Sequence, residues 1–599
     1  MTAYKKVHFG PNETRTFRDE NGHLHYQLVQ EVQSYPKRFT DRLAQVASAS
    51  PKQVFLSKKI DQNWQNLTYE EAFNQVQILS QFLIDVDFKN REGLVILSDN
   101  SIEHALLALA ALHIGIPYAP ISPPYSLVSS DFGKLGHCLS LMEPKVIFAQ
   151  DGKVYEKAIH FAKELFPEAI VVCVENSPEA SFSDILLTDV TDAVKEYHDR
   201  VGPDTPAKIL FTSGSTGLPK GVTNTQGMWC ASLQQITQAL AFMADAPPVF
   251  VDWLPWNHTF GGNQNFGLTV FNGGTLYLDN GKPTAKDMHK TLENLRQISP
   301  TAYFNVPKGF EMLVQALEKE PDLRNTFFKN LQILFYAGAS MAQPIWDALE
   351  RMAVETIGEK IPIITGLGCT EAGPSAMFAN WGGAFSGLLG VPVAGLDIKL
   401  VVDGDKMEAR YKGPNITPGY WKNEAATQAS FDHEGYYCSG DAVKFLDESQ
   451  PNKGLVFDGR IAEDFKLNTG TWVNVGILKA KIISKGAPII QDVVLAGIDQ
   501  PYVGAILFLN EEVCKQLVGE YESRAELFQH PVVQDAIEEK IKQINESATG
   551  SSTFLKKWIA AVEAPSIDLG EITDKGSLNQ RMVLTHRAHL VHKLFEHGD

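Results

Sequence analysis

Apolar residues recur along this chain in two rhythms. Residues 68–87, TYEEAFNQVQILSQFLIDVD, carry them at the spacing of an amphipathic helix, and Thr68 with Glu71 has the form of a capping box. LVILSDN (94–100) is instead a short continuous apolar run ending in polar residues, which predicts a buried strand. A second helical pattern covers 101–114 and is closed by Gly115 and Pro117. PKVIFA (144–149) and AIVVCV (169–174) repeat the short-run pattern. Strands alternating with helices predict an α/β fold, with parallel sheet covered by helices on both faces. That rhythm continues to about residue 400.

The pattern then changes. DIKLVV (397–402) and residues 408–411 are short strands between Gly-rich turns, a small β subdomain. GLVFDGR (454–460) ends another strand. QDVVLAGI (491–498) and VGAILFLN (503–510) bracket 499–502 as a hairpin-like pair, and a helix is predicted over 531–547. A boundary near residues 458–462 divides the chain into a large N-terminal domain of helix-covered sheets, 1–458, and a smaller α+β C-terminal domain, 459–599.

Composition narrows the function classes. The 599 residues are 44% hydrophobic and 21% charged, which suits folded cores rather than disorder. A formal charge of −18 argues against binding of a nucleic-acid polymer, which needs a basic footprint, but leaves room for a local cationic site. The longest purely apolar run, 105–112, is far short of the roughly 20 residues of a bilayer span. The N-terminal stretch MTAYKKVHFGPNETRTFRDENGH has no apolar core of a signal peptide. The six cysteines form no CxxC pair, and no HExxH or EF-hand loop occurs. A cytoplasmic protein with free thiols and no membrane span is expected.

The strongest local signal is Ile209-Leu-Phe-Thr-Ser-Gly-Ser-Thr-Gly-Leu-Pro-Lys-Gly-Val222. An apolar strand runs into a loop of glycines and hydroxyls that ends at Lys220. Gly214 and Gly217 permit close backbone approach to an anion. Thr212, Ser213, Ser215 and Thr216 can donate to phosphate oxygens, and successive backbone N–H groups form an anion-binding concavity. The frame is not that of a Walker A loop, which disfavours a P-loop kinase or ATPase.

TSGSTGLPKG closely resembles the phosphate-loop signature of the AMP-forming adenylating enzymes, which include acyl-CoA synthetases, peptide-synthetase adenylation domains and luciferases. Further blocks follow in that family's order. LPWNHTFGG (254–262) resembles the block whose histidine borders the acyl pocket, a role that falls on His258. YAGAS (336–340) resembles the turn against the adenine, carried by Gly338, Ala339 and Ser340. GLGCTEAG (366–373), with Gly366 and Gly368, resembles the block in which a threonine contacts the α-phosphate and a glutamate holds Mg²⁺, implying Thr370 and Glu371. An aromatic residue usual in that block is replaced here by Leu367 or Gly368.

GPNITPGYW (413–421) followed by YYCSGD (436–441) implies Asp441 as acceptor of the ribose hydroxyls. GRIAEDFKLNTGTWVNV (459–475) resembles the hinge that joins the two domains, with Arg460 on ribose or phosphate. Lys466 and Gly470 follow in the next loop, and Ala462 stands where the family often has Asp or Lys. GEITDKGSLNQR (570–581) resembles the block of the adenylation lysine. Ser577 follows the glycine, so the role falls on Lys575.

The resemblance implies ATP, Mg²⁺ and coenzyme A as cofactors and two half-reactions, acyl-adenylate formation and thioester formation, with a C-terminal domain that rotates between them. The blocks WLPWNHTFGGNQNFG, AEDFKLNTGTWVNVG and EITDKGSLNQR together resemble the feruloyl-CoA synthetase branch, implying a hydroxycinnamate substrate and a place in phenylpropanoid catabolism. On the residues themselves, Phe260 and Phe266 could stack on an aromatic ring, and Asn263 or Gln264 could bond its hydroxyl. Core aromatics at helical spacing explain the same phenylalanines equally well. Three alternatives stay open: an aliphatic acyl-CoA synthetase, an acyl-AMP ligase that loads a carrier protein, and a nucleotide-binding protein without ligase activity. Whether the chain forms a homo-oligomer is not legible here.

Overall fold

The computed structural model describes residues 2–89, 91–212, 217–339, 341–573 and 576–596. The two predicted helices near the N-terminus form as Tyr69–Asp85 and Ile102–Ile114. Thr68 caps the first, accepting from Glu71 N while the Glu71 carboxylate accepts from Thr68 N, the reciprocal pair that satisfies two orphan donors. The second is buried almost all round and ends at Gly115. It is a core helix packed beside the first.

The second helix lies against a seven-stranded sheet. Its order is Lys220–Thr225, Pro206–Thr212, Tyr118–Pro120, Gly93–Ile96, Pro144–Asp151, Ile170–Glu175, Ala180–Ser181. All neighbours run parallel except the first pair, an antiparallel hairpin at the sheet edge. A four-stranded sheet contains Val249–Asp252, Thr275–Leu278, Val54–Ile60 and Asn63–Thr68.

The β-rich run after residue 397 joins a larger unit than a separate small sheet. Asp397–Asp403, Lys406–Lys412, Tyr437–Phe445 and Leu455–Arg460 are four consecutive members of an eleven-stranded sheet. One side of that sheet is extended by the N-terminal hairpin Thr14–Arg18 and Leu24–Leu28. The other continues through antiparallel Leu388–Pro392 and Ser375–Phe378 to the parallel strands Ile363–Gly368, Ile333–Tyr336 and Ala302–Asn305. The strand–helix alternation therefore stops at Ile363–Gly368, earlier than the sequence pattern predicts, because the strands that follow pair as neighbours without crossover helices.

From Phe465 onward the chain buries a core of its own, built from residues such as Leu478, Ile482, Leu507, Phe528 and Ile537. Its three-stranded sheet pairs Ile490–Ala496 antiparallel with Val503–Leu509, the expected hairpin, and adds Leu555–Ala560 in parallel. The helix expected over 531–547 forms as Pro531–Asn545. All six cysteines are free, and among the described residues no helix is long and apolar enough to cross a membrane.

Candidate active site

The expected phosphate loop is the tip of the edge hairpin. Strands Pro206–Thr212 and Lys220–Thr225 pair with Thr212 opposite Lys220. Ile209, Leu210 and Val222 are buried, so apolar side chains fasten both strands to the core. Lys220 is thus the first residue of a strand rather than the tail of a loop. Its ammonium lies 5.0 Å from the centre of the Tyr420 ring. The Thr212 hydroxyl donates to Lys220 O at 3.5 Å. Ser213, Gly214, Ser215 and Thr216 lie outside the described residues.

The GPNITPGYW segment runs along the second strand of this hairpin. Tyr420 bridges Val222, Trp421 N donates to Gly221 O at 2.7 Å, and Thr223 N donates to Gly419 O at 3.0 Å. This places Tyr420 between Lys220 and Glu371, and its hydroxyl donates to Glu371 Oε1 at 2.9 Å. Thr370 and Glu371 are buried in a 3-10 turn directly after strand Ile363–Gly368. Asn415 fixes that turn by donating to Ala372 O at 2.8 Å and Ser375 O at 2.9 Å. A buried carboxylate held by a neutral phenol, with no ammonium or guanidinium paired to it among the described residues, has the chemistry of a hard-cation ligand.

The glycines of this region divide into two kinds. A Cβ on Gly366 would lie 2.3 Å from Met377 O, and one on Gly368 would lie 2.0 Å from Pro374 O. Both are glycine because the neighbouring strand's backbone occupies that space, a packing reason that the nucleotide expectation did not include. Gly338 differs. It turns at φ +87 after strand Ile333–Tyr336, with open space where a side chain would be, and Ala339 beside it is exposed. Ser340 lies outside the described residues.

Asp441 and Arg460 face each other across strands Tyr437–Phe445 and Leu455–Arg460, with Arg460 Nε 3.3 Å from Asp441 Oδ1. The carboxylate is buried, whereas the Arg460 side chain is 61% exposed. Just beyond, where Ala462 lacks a polar group, Asp464 accepts from Val475 N at 2.8 Å and pairs with Lys406. Lys466 lies over the Trp472 ring at 4.8 Å, and Gly470 closes the turn between them.

His258 caps a π-helical turn, Thr259–Asn265, its Nδ1 accepting from Phe260 N at 3.3 Å. Phe260 packs edge-on against Phe304 and Phe335. Asn263 is fully buried and donates to Asn224 Oδ1 and Thr259 Oγ1, both at 2.9 Å. Its Oδ1 and the Nε2 of buried Gln264 have no partner among the described residues. Phe266 sits in the core against Trp256 and Phe55, the position that helical spacing of core aromatics predicts.

The C-terminal block comes to the same region. Ser130 donates to Asp568 Oδ2 through its N–H at 3.1 Å and its hydroxyl at 2.7 Å. Lys134 Nζ donates to Ile567 O at 2.5 Å. A Cβ on Gly570 would lie 3.8 Å from Gly217 Cα, and one on Gly217 would lie 3.6 Å from Met582 Cε. Arg587 holds the buried Glu571 carboxylate in a two-pronged bond of 2.8 and 2.7 Å and also donates to Glu563 O and Ala564 O. Thr573 N donates to Ser577 O at 2.8 Å. Lys575 lies outside the described residues.

The family model described as AMP-binding enzyme matches residues 43–421, more than half of the chain. The chain belongs to the AMP-binding enzyme family. A second model, the AMP-binding enzyme C-terminal domain, matches 465–599. The long-chain-fatty-acid–CoA ligase FadD15 of Mycobacterium bovis is 21% identical over 89% of this chain and 93% of its own length. The 4-coumarate–CoA ligase-like 9 of Arabidopsis thaliana is 27% identical over 64% of this chain and 66% of its own length. Among solved structures, the adenylation domain of a carboxylate reductase from Mycobacterium chelonae superposes with a TM-score of 0.71 at 19% identity, covering 94% of this chain and 92% of that one. The O-succinylbenzoate–CoA synthetase of Bacillus subtilis, in complex with AMP, gives 0.64 at 17% identity, covering 91% and 98%. Both are similar in fold: a large N-terminal α/β domain followed by a smaller C-terminal one.

In this AMP-binding enzyme one buried acid of the site, Asp441, is electrostatically strained. Burial pushes the Asp441 carboxyl up to about 6; Arg460 opposes that rise, while Glu463, Glu371 and Glu408 add to it. Sequence reading missed Tyr420, Asn415 and Asp464. Tyr420 and Asn415 stand inside the quoted GPNITPGYW block, whose aromatic and amide were the available signal. Asp464 stands two residues beyond Ala462.

Proposed function

We propose that the chain is an ATP-dependent acid–CoA ligase that activates ferulate or a related hydroxycinnamate. The acid becomes an acyl-adenylate with release of pyrophosphate, and then a CoA thioester with release of AMP. The observation that carries the adenylation reading is the grouping of Lys220, Tyr420 and Glu371, with Thr370 adjacent: one cation and one cation ligand held by a shared aromatic residue. The carboxylate attacks the α-phosphate, so charge grows on phosphate oxygens, and the chain must position reactants and supply positive charge rather than a nucleophile. Lys220 and Thr370 meet the phosphate, and Asp441 in its ionised form accepts from the ribose hydroxyls, with Arg460 beside it. Gly338 and Ala339 leave room for the base. Glu371 would hold Mg²⁺, which when bound supplies positive charge at the phosphate oxygens.

His258 borders the acid, and its Nδ1 accepts from Phe260 N, which orients the ring at the start of the turn. In the turn it caps, the Gln264 Nε2, without a partner among the described residues, and the Phe260 ring support an oxygenated aromatic acid over an alkyl chain. Asn263 contributes by holding the turn, its amide nitrogen being committed to Asn224 and Thr259. Residues 459–599 act as the mobile domain, with the pivot near Arg460–Asp464. The close approach of Gly570 to Gly217 fits the adenylate-forming arrangement, in which Lys575 would reach the phosphate loop. Thioester formation then requires the C-terminal unit to swing away.

A panel of carboxylic acids with ATP and CoA, scored by pyrophosphate release, tests the substrate reading. Ferulate is expected to exceed octanoate. The reverse order would support an aliphatic substrate, which the full-length similarity to FadD15 favours.

A further inference from the structure

Lys208 lies within the strand Pro206–Thr212 that leads to the phosphate loop, and it is fully buried. No carboxylate pairs with it among the described residues. Its ammonium instead stands 3.3 Å from the centre of the Trp229 ring and donates to Gly262 O at 3.2 Å. Burial without a counter-ion pulls its pKa well below the usual lysine value. An apolar side chain of similar length would avoid that desolvation. The amine therefore calls for a role that only a donor can perform.

Its surroundings supply one. Directly across the hairpin from Lys208 is Asn224, whose side-chain oxygen accepts from Asn263 Nδ2. Trp229, on helix Gln226–Ala239, donates its indole N–H to Asn263 O at 2.9 Å. Lys208, Asn224 and Trp229 thus hold residues 262 and 263 by three hydrogen bonds. These two residues lie inside the π-helical turn Thr259–Asn265, where Phe266 N reaches back to Gly261 O. Such i→i+5 turns are rare and occur mostly at functional sites. The same turn carries Phe260 and Gln264 and is capped by His258. The far end of the hairpin carries Lys220.

We propose that Lys208 is a positioning residue that clamps Gly262 O and so holds the wall of the acid site in register with the phosphate hairpin. Acid and triphosphate are then presented in one rigid frame, although no atom of Lys208 touches either. This role rests on the acid–CoA ligase reading for its catalytic consequence, but not for its structural one.

The test uses the full chain with Lys208→Met, which removes the donor, and Lys208→Gln, which keeps an amide donor without charge. Hydrogen–deuterium exchange is read first. Faster exchange at residues 259–266 in Lys208→Met, smaller in Lys208→Gln and absent from the remote strands Ile490–Ala496 and Val503–Leu509, is expected. Steady-state pyrophosphate release is read second. KM for the acid is expected to rise about tenfold or more in Lys208→Met, with KM for ATP within about twofold of wild type and an unchanged or higher melting temperature. Wild-type exchange at 259–266 in both variants would overturn the clamp, and so would equal rises in both KM values. Failure of both variants to fold would make Lys208 a general core residue and overturn it too. If wild type itself activates no carboxylic acid, the ligase reading fails, while the exchange measurement still decides on Lys208.

Discussion

The Tyr420 hydroxyl donates to Glu371 Oε1 at 2.9 Å, and the same ring lies beneath the Lys220 ammonium. Two groups of opposite charge, far apart in sequence, are oriented by one side chain. Tyr420→Phe keeps the ring and removes the donor. Hydrogen bonds to charged groups contribute about 1.5–3 kcal/mol, so a loss of about tenfold or more in kcat/KM for ATP is expected. Tyr420→Leu, which also removes the ring, should lose more. Pyrophosphate exchange measures both, and wild-type exchange in Tyr420→Phe would remove the phenol from the account.

Asp441 gives a pH dependence whose sign can be worked out. Burial raises its carboxyl from 3.8 to about 6. Between those values the folded protein holds more protons than the unfolded chain, so this group's contribution to stability falls as pH rises and is level above about 6. Ribose binding runs the other way, because only the ionised carboxylate accepts from both hydroxyls. The affinity for adenosine, a ligand without phosphate, should weaken as pH falls through about 6. Asp441→Asn should bind adenosine weakly and with little pH dependence over that range. Calorimetric titration at several pH values reads this directly, and a wild-type affinity that is flat across pH 6 would refute it.

Arg587 and Glu571 anchor the C-terminal block to the helices behind it. Burial raises the Glu571 pKa, but the Arg587 bonds, together with the Ser566 N–H and the nearby positive charge, outweigh it and leave the carboxyl below its usual value. Removing one member of such a buried pair costs about 3–5 kcal/mol because the other is left uncompensated. Arg587→Ala should therefore lower the melting transition of the C-terminal unit in scanning calorimetry and leave that of the larger domain in place. An unshifted transition would show that the pair is dispensable.

Ser130 and Asp568 tie the N-terminal domain to the loop preceding Gly570. Asp568→Ala is expected to slow adenylate formation several-fold without slowing thioester formation from supplied acyl-adenylate. Lys575→Ala should abolish pyrophosphate exchange and likewise spare the second half-reaction. The motivation is the lone lysine of the TDKGS block. Equal loss of both half-reactions would refute its assignment.

Much of this architecture is legible in the chain because local and global signals agree. Thr68 and Glu71 announce a helix start that the fold uses, and Gly115 announces an end. The antiparallel pair around residues 499–502 likewise follows from two apolar runs with a short turn between them. The N-terminal hairpin was not recognised. Its strands Thr14–Arg18 and Leu24–Leu28 are short, and the outer one is largely exposed, so no apolar run marks it. The Asn21-Gly22 turn, with Gly22 at φ +84, was the available signal. At the site, the blocks lead to Glu371, Asp441 and Arg460 but not to the role of Tyr420. Its hydroxyl meets Glu371 from 49 positions away, a contact that no local pattern encodes. Lys208 is hidden for the opposite reason: in AKILF it looks like the solvent-facing residue of a strand, yet it is buried.

The most direct test of the account follows the carboxylate oxygen. Ferulate labelled with ¹⁸O in its carboxylate is incubated with the protein, ATP, Mg²⁺ and CoA, and the products are weighed by mass spectrometry. Attack of the carboxylate on the α-phosphate predicts AMP carrying one ¹⁸O atom, feruloyl-CoA retaining the other in its thioester carbonyl, and unlabelled pyrophosphate. Formation of ADP, or label in inorganic phosphate, would contradict it.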